Sequence, residues 1–163
     1  MKVSRLMQQA RDPVLACVAL GANLGDAATA VRSAMDALAR LPGTRVTRRS
    51  SLYCSAPVDA AGPDFVNAVV EISSCLSAPD LLIQLQALEL EAGRERPYPN
   101  APRTLDLDLL LYGDARIASP SLTIPHPRMA QRAFVLAPLA EIAPLRVSAA
   151  QLEAVRHQSI VRL

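Results

Sequence analysis

The stretch "APRTLDLDLLLYG", residues 101–113, decides how this chain is read. A leucine run bounded by Pro and Gly reads as a buried strand, and buried strands avoid charge. This one nevertheless carries Asp106 and Asp108, one residue apart, with Arg103 just ahead. Side chains alternate along a strand, so the aspartates share one face while Leu105, Leu107, Leu109 and Leu111 occupy the other. The two acids then stand about 7 Å apart along the backbone, twice the rise per residue. With the leucines turned to the core, the aspartates lie on an open face, and a cation between them relieves their repulsion. Mg²⁺ carried by a phosphate substrate is the usual solution. A D-x-D alone is more often a solvated strand face, so its surroundings must decide.

Working outward, "VLACVAL" (14–20) reads as a buried strand and "GANLGD" as its turn. From Asp26, a good N-cap, Val31, Ala34, Met35, Leu38 and Leu41 recur at helical spacing until Pro42-Gly43. Residues 44–53 read as extended, and "SAPVDAAGPD" (55–64) is a loop longer than a hairpin requires. "FVNAVVEIS" alternates, with Val66, Ala68, Val70 and Ile72 on one face and Phe65, Asn67, Val69 and Glu71 on the other. A second helix starts at Ser77, carries Pro79 and Asp80 in its first turn, buries Leu81, Leu82, Leu85 and Leu88, and stops at Gly93. The order strand, helix, strand, strand, helix, strand predicts an α+β, ferredoxin-like fold. Both helices cover one face of an antiparallel sheet, and the substrate site lies on the other. After Gly113, "IPHPRM" is a stiff loop and "AQRAFVLAPLAEIAP" a short helix or two.

Composition narrows the chemistry. With 163 residues, 51% of them hydrophobic and 20% charged, the chain is expected to form a single domain over 14–163 behind an N-terminal extension, 1–13. Lys2 is the only lysine, which excludes a P-loop, a Schiff base and a lysine adenylyl transferase as mechanisms. A net charge of +2 is too small to predict a nucleic-acid partner. Cys17, Cys54 and Cys75 have no C-x-x-C spacing, which fits a reducing cytoplasm and neither a disulfide framework nor a cysteine zinc site. No apolar run approaches the ~20 residues of a membrane span.

Other residues turn the D-x-D toward polyphosphate. Arg94, Arg96 and Arg103 flank it in one loop, and guanidinium forks bind phosphate and stabilise charge on transferring phosphoryl oxygens. That loop, "RERPYPNAPR", has three prolines and reads as a lid. Phe65 and Asn67 offer a flat ring and an amide to a planar heterocycle, and Phe134, the other phenylalanine, can close a sandwich. His126 is held between Pro125 and Pro127, with Arg132 six residues on; a histidine there could touch a phosphate or ribose, though a lone His is more often a surface or structural residue.

Together, "ALGANLGD", "FVNAVVEI", "ELEAGRER", "PRTLDLDLLLYG" and "IPHPRMAQRAFVLAPLAEIAP" resemble the 6-hydroxymethyl-7,8-dihydropterin pyrophosphokinase family of folate biosynthesis, in the same order from about Val14 to Pro144. The resemblance implies Mg²⁺-dependent transfer of pyrophosphate from ATP to the pterin hydroxymethyl oxygen, with release of AMP. It implies that Asp106 and Asp108 hold two Mg²⁺ ions and that Arg94 and Arg103 assist transfer. Gln86, Glu89, Arg96, Arg103, Leu109, Thr123, His126 and Arg132 would then bind ATP. Gly21, Ser55, Val58, Phe65, Asn67 and Phe134 would bind the pterin. Asp106 is the nearest candidate to help deprotonate the hydroxyl. Many members carry Trp-Gly where this chain has Asn100-Ala101, and Tyr98 is the aromatic residue nearest that place. The expected enzyme is a cytoplasmic monomer acting on small molecules, with neither nucleic acid nor membrane as partner. Two rival readings are a different metal-dependent nucleotidyltransferase or nuclease and a non-catalytic nucleotide-binding module.

Overall fold

The structure, a computed structural model, describes residues 11–57, 62–93 and 105–163. The elements come in the predicted order: β1 (Val14–Ala22), α1 (Ala27–Ala39), β2 (Thr44–Arg49), β3 (Tyr53–Ser55), β4 (Phe65–Ser74), α2 (Ala78–Gly93) and β5 (Asp106–Tyr112). Beyond them come a short hairpin of β6 (Ile117–Ala118) and β7 (Thr123–Ile124), then α3 (Ala133–Ile142), α4 (Ala149–Ala154) and β8 (Ile160–Arg162). Local signals place the boundaries. Asp26 accepts the Thr29 N–H at 3.1 Å, and Ser77 Oγ accepts the Asp80 N–H at 3.2 Å, so each helix begins at its capping oxygen. Gly43 turns the chain at φ +58, where a side chain would also press on Cys75 at 3.3 Å.

β1 is the centre of the antiparallel sheet, paired with β4 on one side and β5 on the other. Both β2 and β3 lie along the far edge of β4, β2 against Val70–Ser74 and β3 against Phe65–Asn67. The expected extended stretch 44–53 is therefore two strands. Ser50 staples the break: its N–H donates to Val69 O at 3.0 Å, and its hydroxyl accepts the Val69 N–H at 2.9 Å. β8 then pairs with β3 and widens the sheet to six strands.

One face packs Val18 and Leu20 of β1, Val70 and Ile72 of β4, and Leu107 and Leu109 of β5 against Val31 and Leu38 of α1 and Leu81 and Leu85 of α2. On the other face Cys17, Ala19, Val69 and Leu111 meet Leu136 and Leu139 of α3. Leu111 thus packs opposite to the simple alternation. A bulge explains it: Leu109 faces Val18 and Leu111 faces Cys17, so Leu110 is an extra residue and the strand reverses its facing from that point on. α3 covers only part of the second face. The part bearing Gly21, Asn67, Asp106 and Asp108 is left to a cavity.

Leu85 is fully buried between α2 and the sheet. Leu85→Ala is expected to cost about 2–5 kcal/mol in urea unfolding, and a loss under about 1 kcal/mol would contradict this packing.

Candidate active site

The register of the sheet builds the site. Gly21 lies opposite Asn67 on β4 and opposite Asp106 on β5, while Ala19 lies opposite Val69 and Asp108. Residues directly opposite share a face, so the central strand contributes almost no side chain between an amide on one side and two carboxylates on the other. A Cβ on Gly21 would sit 3.4 Å from Asn67 Oδ1, at the edge of contact. The trough is the floor of a cavity of about 800 Å³. Ser55, Phe65 and Asn67 line one side of it, Asp106 and Asp108 another, and Arg132 and Phe134 close it from the start of α3.

At the amide end, buried Asn67 donates from Nδ2 to Ser55 Oγ at 2.8 Å. The Arg132 guanidinium stands 5.4 Å from the Phe134 ring centroid, within cation–π range. Behind this wall Tyr53, opposite Asn67, donates its hydroxyl to Glu141 of α3 at 2.7 Å. Glu141 also accepts the Ser51 N–H at 2.8 and 3.0 Å and the Ser51 hydroxyl at 3.1 Å. Burial alone would raise the Glu141 pKa, but these hydrogen bonds and Arg162 outweigh it and hold the carboxyl below its ordinary value. Burial, and then the bond to Glu141, push Tyr53 up to about 12.

A smaller hollow of about 240 Å³ opens beside β5 and is lined by Leu82, Asp108, Leu109, Thr123 and His126. Asp108 borders both spaces. The His126 backbone N–H donates to Leu110 O at 2.9 Å, which fixes its loop to the strand. Its Nδ1 accepts the Arg128 N–H at 3.2 Å, so the neutral ring carries its proton on Nε2 as a donor. Burial lowers the His126 pKa, Asp108 opposes this, and Arg132 and Arg128 lower it further. The balance favours the neutral ring.

Glu89 is placed differently from the residues around the cavities: its carboxylate accepts the Leu107 N–H at 3.2 Å and ties α2 to β5. Gln86 is exposed on α2 and, among the described residues, is not part of either lining. Val58, Arg94, Arg96, Tyr98, Asn100 and Arg103 lie outside the described residues. Sequence reasoning missed Arg128, Gln131 and the segment His157 to Ser159, which also line the larger cavity. The nearest local signal is the S-x-x-Q of Ser148 and Gln151, which forms the capping box of α4. The pairing of β8 with β3, which brings residues 157–159 to the site, has no such signal.

The aspartates are hard oxygen donors facing space that Gly21 and Ala19 leave clear, which suits Mg²⁺. Among the described residues no group of three or more His, Cys, Asp or Glu could hold a metal. A two-carboxylate site of this kind is completed by substrate and water oxygens.

Residues 17–144 match the family model of 7,8-dihydro-6-hydroxymethylpterin-pyrophosphokinase. The 2-amino-4-hydroxy-6-hydroxymethyldihydropteridine pyrophosphokinase of Pseudomonas aeruginosa is 49% identical over 128 residues, covering 78% of this chain and 79% of that protein. The protein of the same name from Bacillus subtilis is 45% identical over 131 residues, covering 78% and 77%. The crystal structure of wild-type HPPK-DHPS from Plasmodium falciparum, with pterin and p-hydroxybenzoate, shares the fold at a TM-score of 0.64 and 14% identity. It matches over 85% of this chain and 41% of that one.

Because the Glu141 pKa is lowered on folding, its contribution to stability is present above the ordinary carboxyl value of 4.5 and lost as pH falls through the folded value. Urea midpoints of the wild type and Glu141→Gln are expected to differ most near neutrality and to converge below that value. A constant difference across the acid range would contradict the assignment.

Proposed function

The chain belongs to the 7,8-dihydro-6-hydroxymethylpterin-pyrophosphokinase family, and we propose that the cavity over Gly21, Asn67 and the two aspartates is where it transfers pyrophosphate from ATP to the hydroxymethyl group of the reduced pterin. The reaction is a step of folate biosynthesis and leaves AMP. One observation carries the assignment of the site: Asp106 and Asp108 share a cavity floor with the Ser55–Asn67 pair across a residue without a side chain.

In this reading Asn67, oriented by Ser55, bonds the edge of the pterin ring, and Phe65 and Phe134 contact its faces. Gly21 leaves the ring room to approach the strand. The pterin hydroxymethyl group then points along the trough toward the aspartates. Leu109 and Thr123 border the nucleotide, and His126 Nε2–H and Arg132 donate to its phosphates. Asp106 and Asp108 would hold the Mg²⁺ ions, two by family resemblance, which neutralise triphosphate charge and orient its oxygens. Arg94, Arg96 and Arg103, which precede β5 in the sequence, would add charge around the transferring group. Gln86 and Glu89 would complete the nucleotide side from α2, and the backbone near Val58 the pterin side. Catalysis is then positioning plus electrostatics, the pattern of phosphoryl-transfer enzymes.

The wider assignments rest on the same reading. The substrates of the proposed reaction are small molecules, and a monomer that needs neither nucleic acid nor membrane is part of the proposal. The described cysteines are unbridged thiols, in keeping with a reducing cytoplasm. Among the described residues no helix is long and apolar enough to cross a membrane.

Incubation with ATP, Mg²⁺ and the reduced pterin alcohol should give pterin-dependent AMP. Asp106→Ala and Asp108→Ala should each lower that rate by about 10²-fold or more while leaving the circular dichroism spectrum unchanged. Chelation should abolish the rate and added Mg²⁺ restore it. Pyrophosphate as product would favour a nucleotidyltransferase, and no turnover with retained ATP binding would favour a binding module.

A further inference from the structure

Residues 145–163 lie outside the stretch that matches the family model, yet His157 to Ser159 line the same cavity as Asn67 and the aspartates. Gln158 is the member of this segment that bonds to the site's framework. α3 begins at Arg132, an N-cap in extended conformation (φ −127, ψ 112) whose own side chain makes no capping hydrogen bond. Helix starts leave backbone N–H groups in need of acceptors. Gln158 Oε1 accepts the Ala133 N–H at 2.8 Å, and Gln158 Nε2 donates to Gln131 O at 2.7 Å. A single amide therefore bonds the backbone on both sides of Arg132. Its orientation is settled by its partners, since an N–H requires the oxygen and a carbonyl requires the nitrogen.

Gln158 is itself anchored at both ends. Its N–H donates to Val155 O at 2.9 Å, and Val155 is buried in the core beneath α3. Two residues onward Ile160 pairs with Ser55, whose hydroxyl accepts the Asn67 amide. The short run from Val155 to Ile160 thus spans the cavity's two walls, one bearing Arg132 and Phe134, the other Ser55 and Asn67.

We propose that Gln158 is a positioning residue that sets the separation of these walls, and that one side-chain amide thereby tunes the affinity for both substrates. It acts through Arg132 on the nucleotide and through Phe134 on the pterin. This inference rests on the assignment of the cavity to pyrophosphoryl transfer.

The test uses the full chain with Gln158→Ala and with Gln158→Met, which keeps the side-chain length but makes neither hydrogen bond. Both variants are expected to raise KM for the reduced pterin and for ATP, each by roughly tenfold, with kcat within about threefold of wild type. Calorimetric titrations with the pterin alone, and with a non-hydrolysable ATP analogue and Mg²⁺, should show matching losses. Phe134→Ala should weaken chiefly the pterin and Arg132→Ala chiefly the nucleotide. Unchanged KM values with only a lower melting temperature, or a rise in one KM alone, would overturn the inference. A wild-type protein that binds no pterin would instead overturn the assignment of the cavity.

Discussion

The site depends on one constraint: β1 must lie between β4 and β5 with Gly21 in register with both Asn67 and Asp106. A slip of one residue would send the amide and the carboxylates to the helix-covered face and bring leucines into the trough. That register is held from the helix side, where Val18, Leu20, Val70, Leu107 and Leu109 are buried against α1 and α2. The apolar face thus pins the polar one. Charges that would be unfavourable in the core are confined to a face that packing has already assigned to solvent or ligand.

α3 divides that second face, and its two ends are held by different chemistry. Near its C-terminal end Glu141 collects bonds from Tyr53 and Ser51 on the strand side, so a partly buried charge is well satisfied. At its N-terminal end the amide of Gln158 supplies the cap that Arg132 does not. Both tethers lead to β3 or its neighbours, because β8 pairs with β3 while Tyr53 belongs to it. Hydrogen bonds thus hold both ends of α3 against the strands that border the cavity.

The central fold was legible because its signals are local. The alternation in "FVNAVVEIS" gave β4 its two faces, the caps at Asp26 and Ser77 placed the helices, and the D-x-D put both acids on one face. Failures came where a long-range event overrode the local rule. Leu111 changed face because a bulge opposite β1 inserts Leu110, and periodicity cannot register one extra residue. The 44–53 stretch split because the Ser50 hydroxyl replaces a ladder partner, which the sequence shows only as another serine. Gln158 was invisible for the same reason: its two bonds join residues 25 and 27 positions away.

Asp108 gives the arrangement its direction. It borders the large cavity on one side and the hollow of Leu109, Thr123 and His126 on the other. In the proposed reading the pterin occupies the first and the nucleotide reaches from the second, so the group in transit crosses above the aspartate strand. Neutral His126 suits that crossing. In that reading an imidazolium facing the same hollow would compete with a metal ion for Asp108, whereas a neutral ring would keep its Nε2–H for a phosphate oxygen and leave Asp108 available. Burial, reinforced by Arg132 and Arg128, maintains the neutral form. In the same reading Arg132 and Arg128 would serve twice, drawing in the anionic substrate and helping to keep the histidine uncharged.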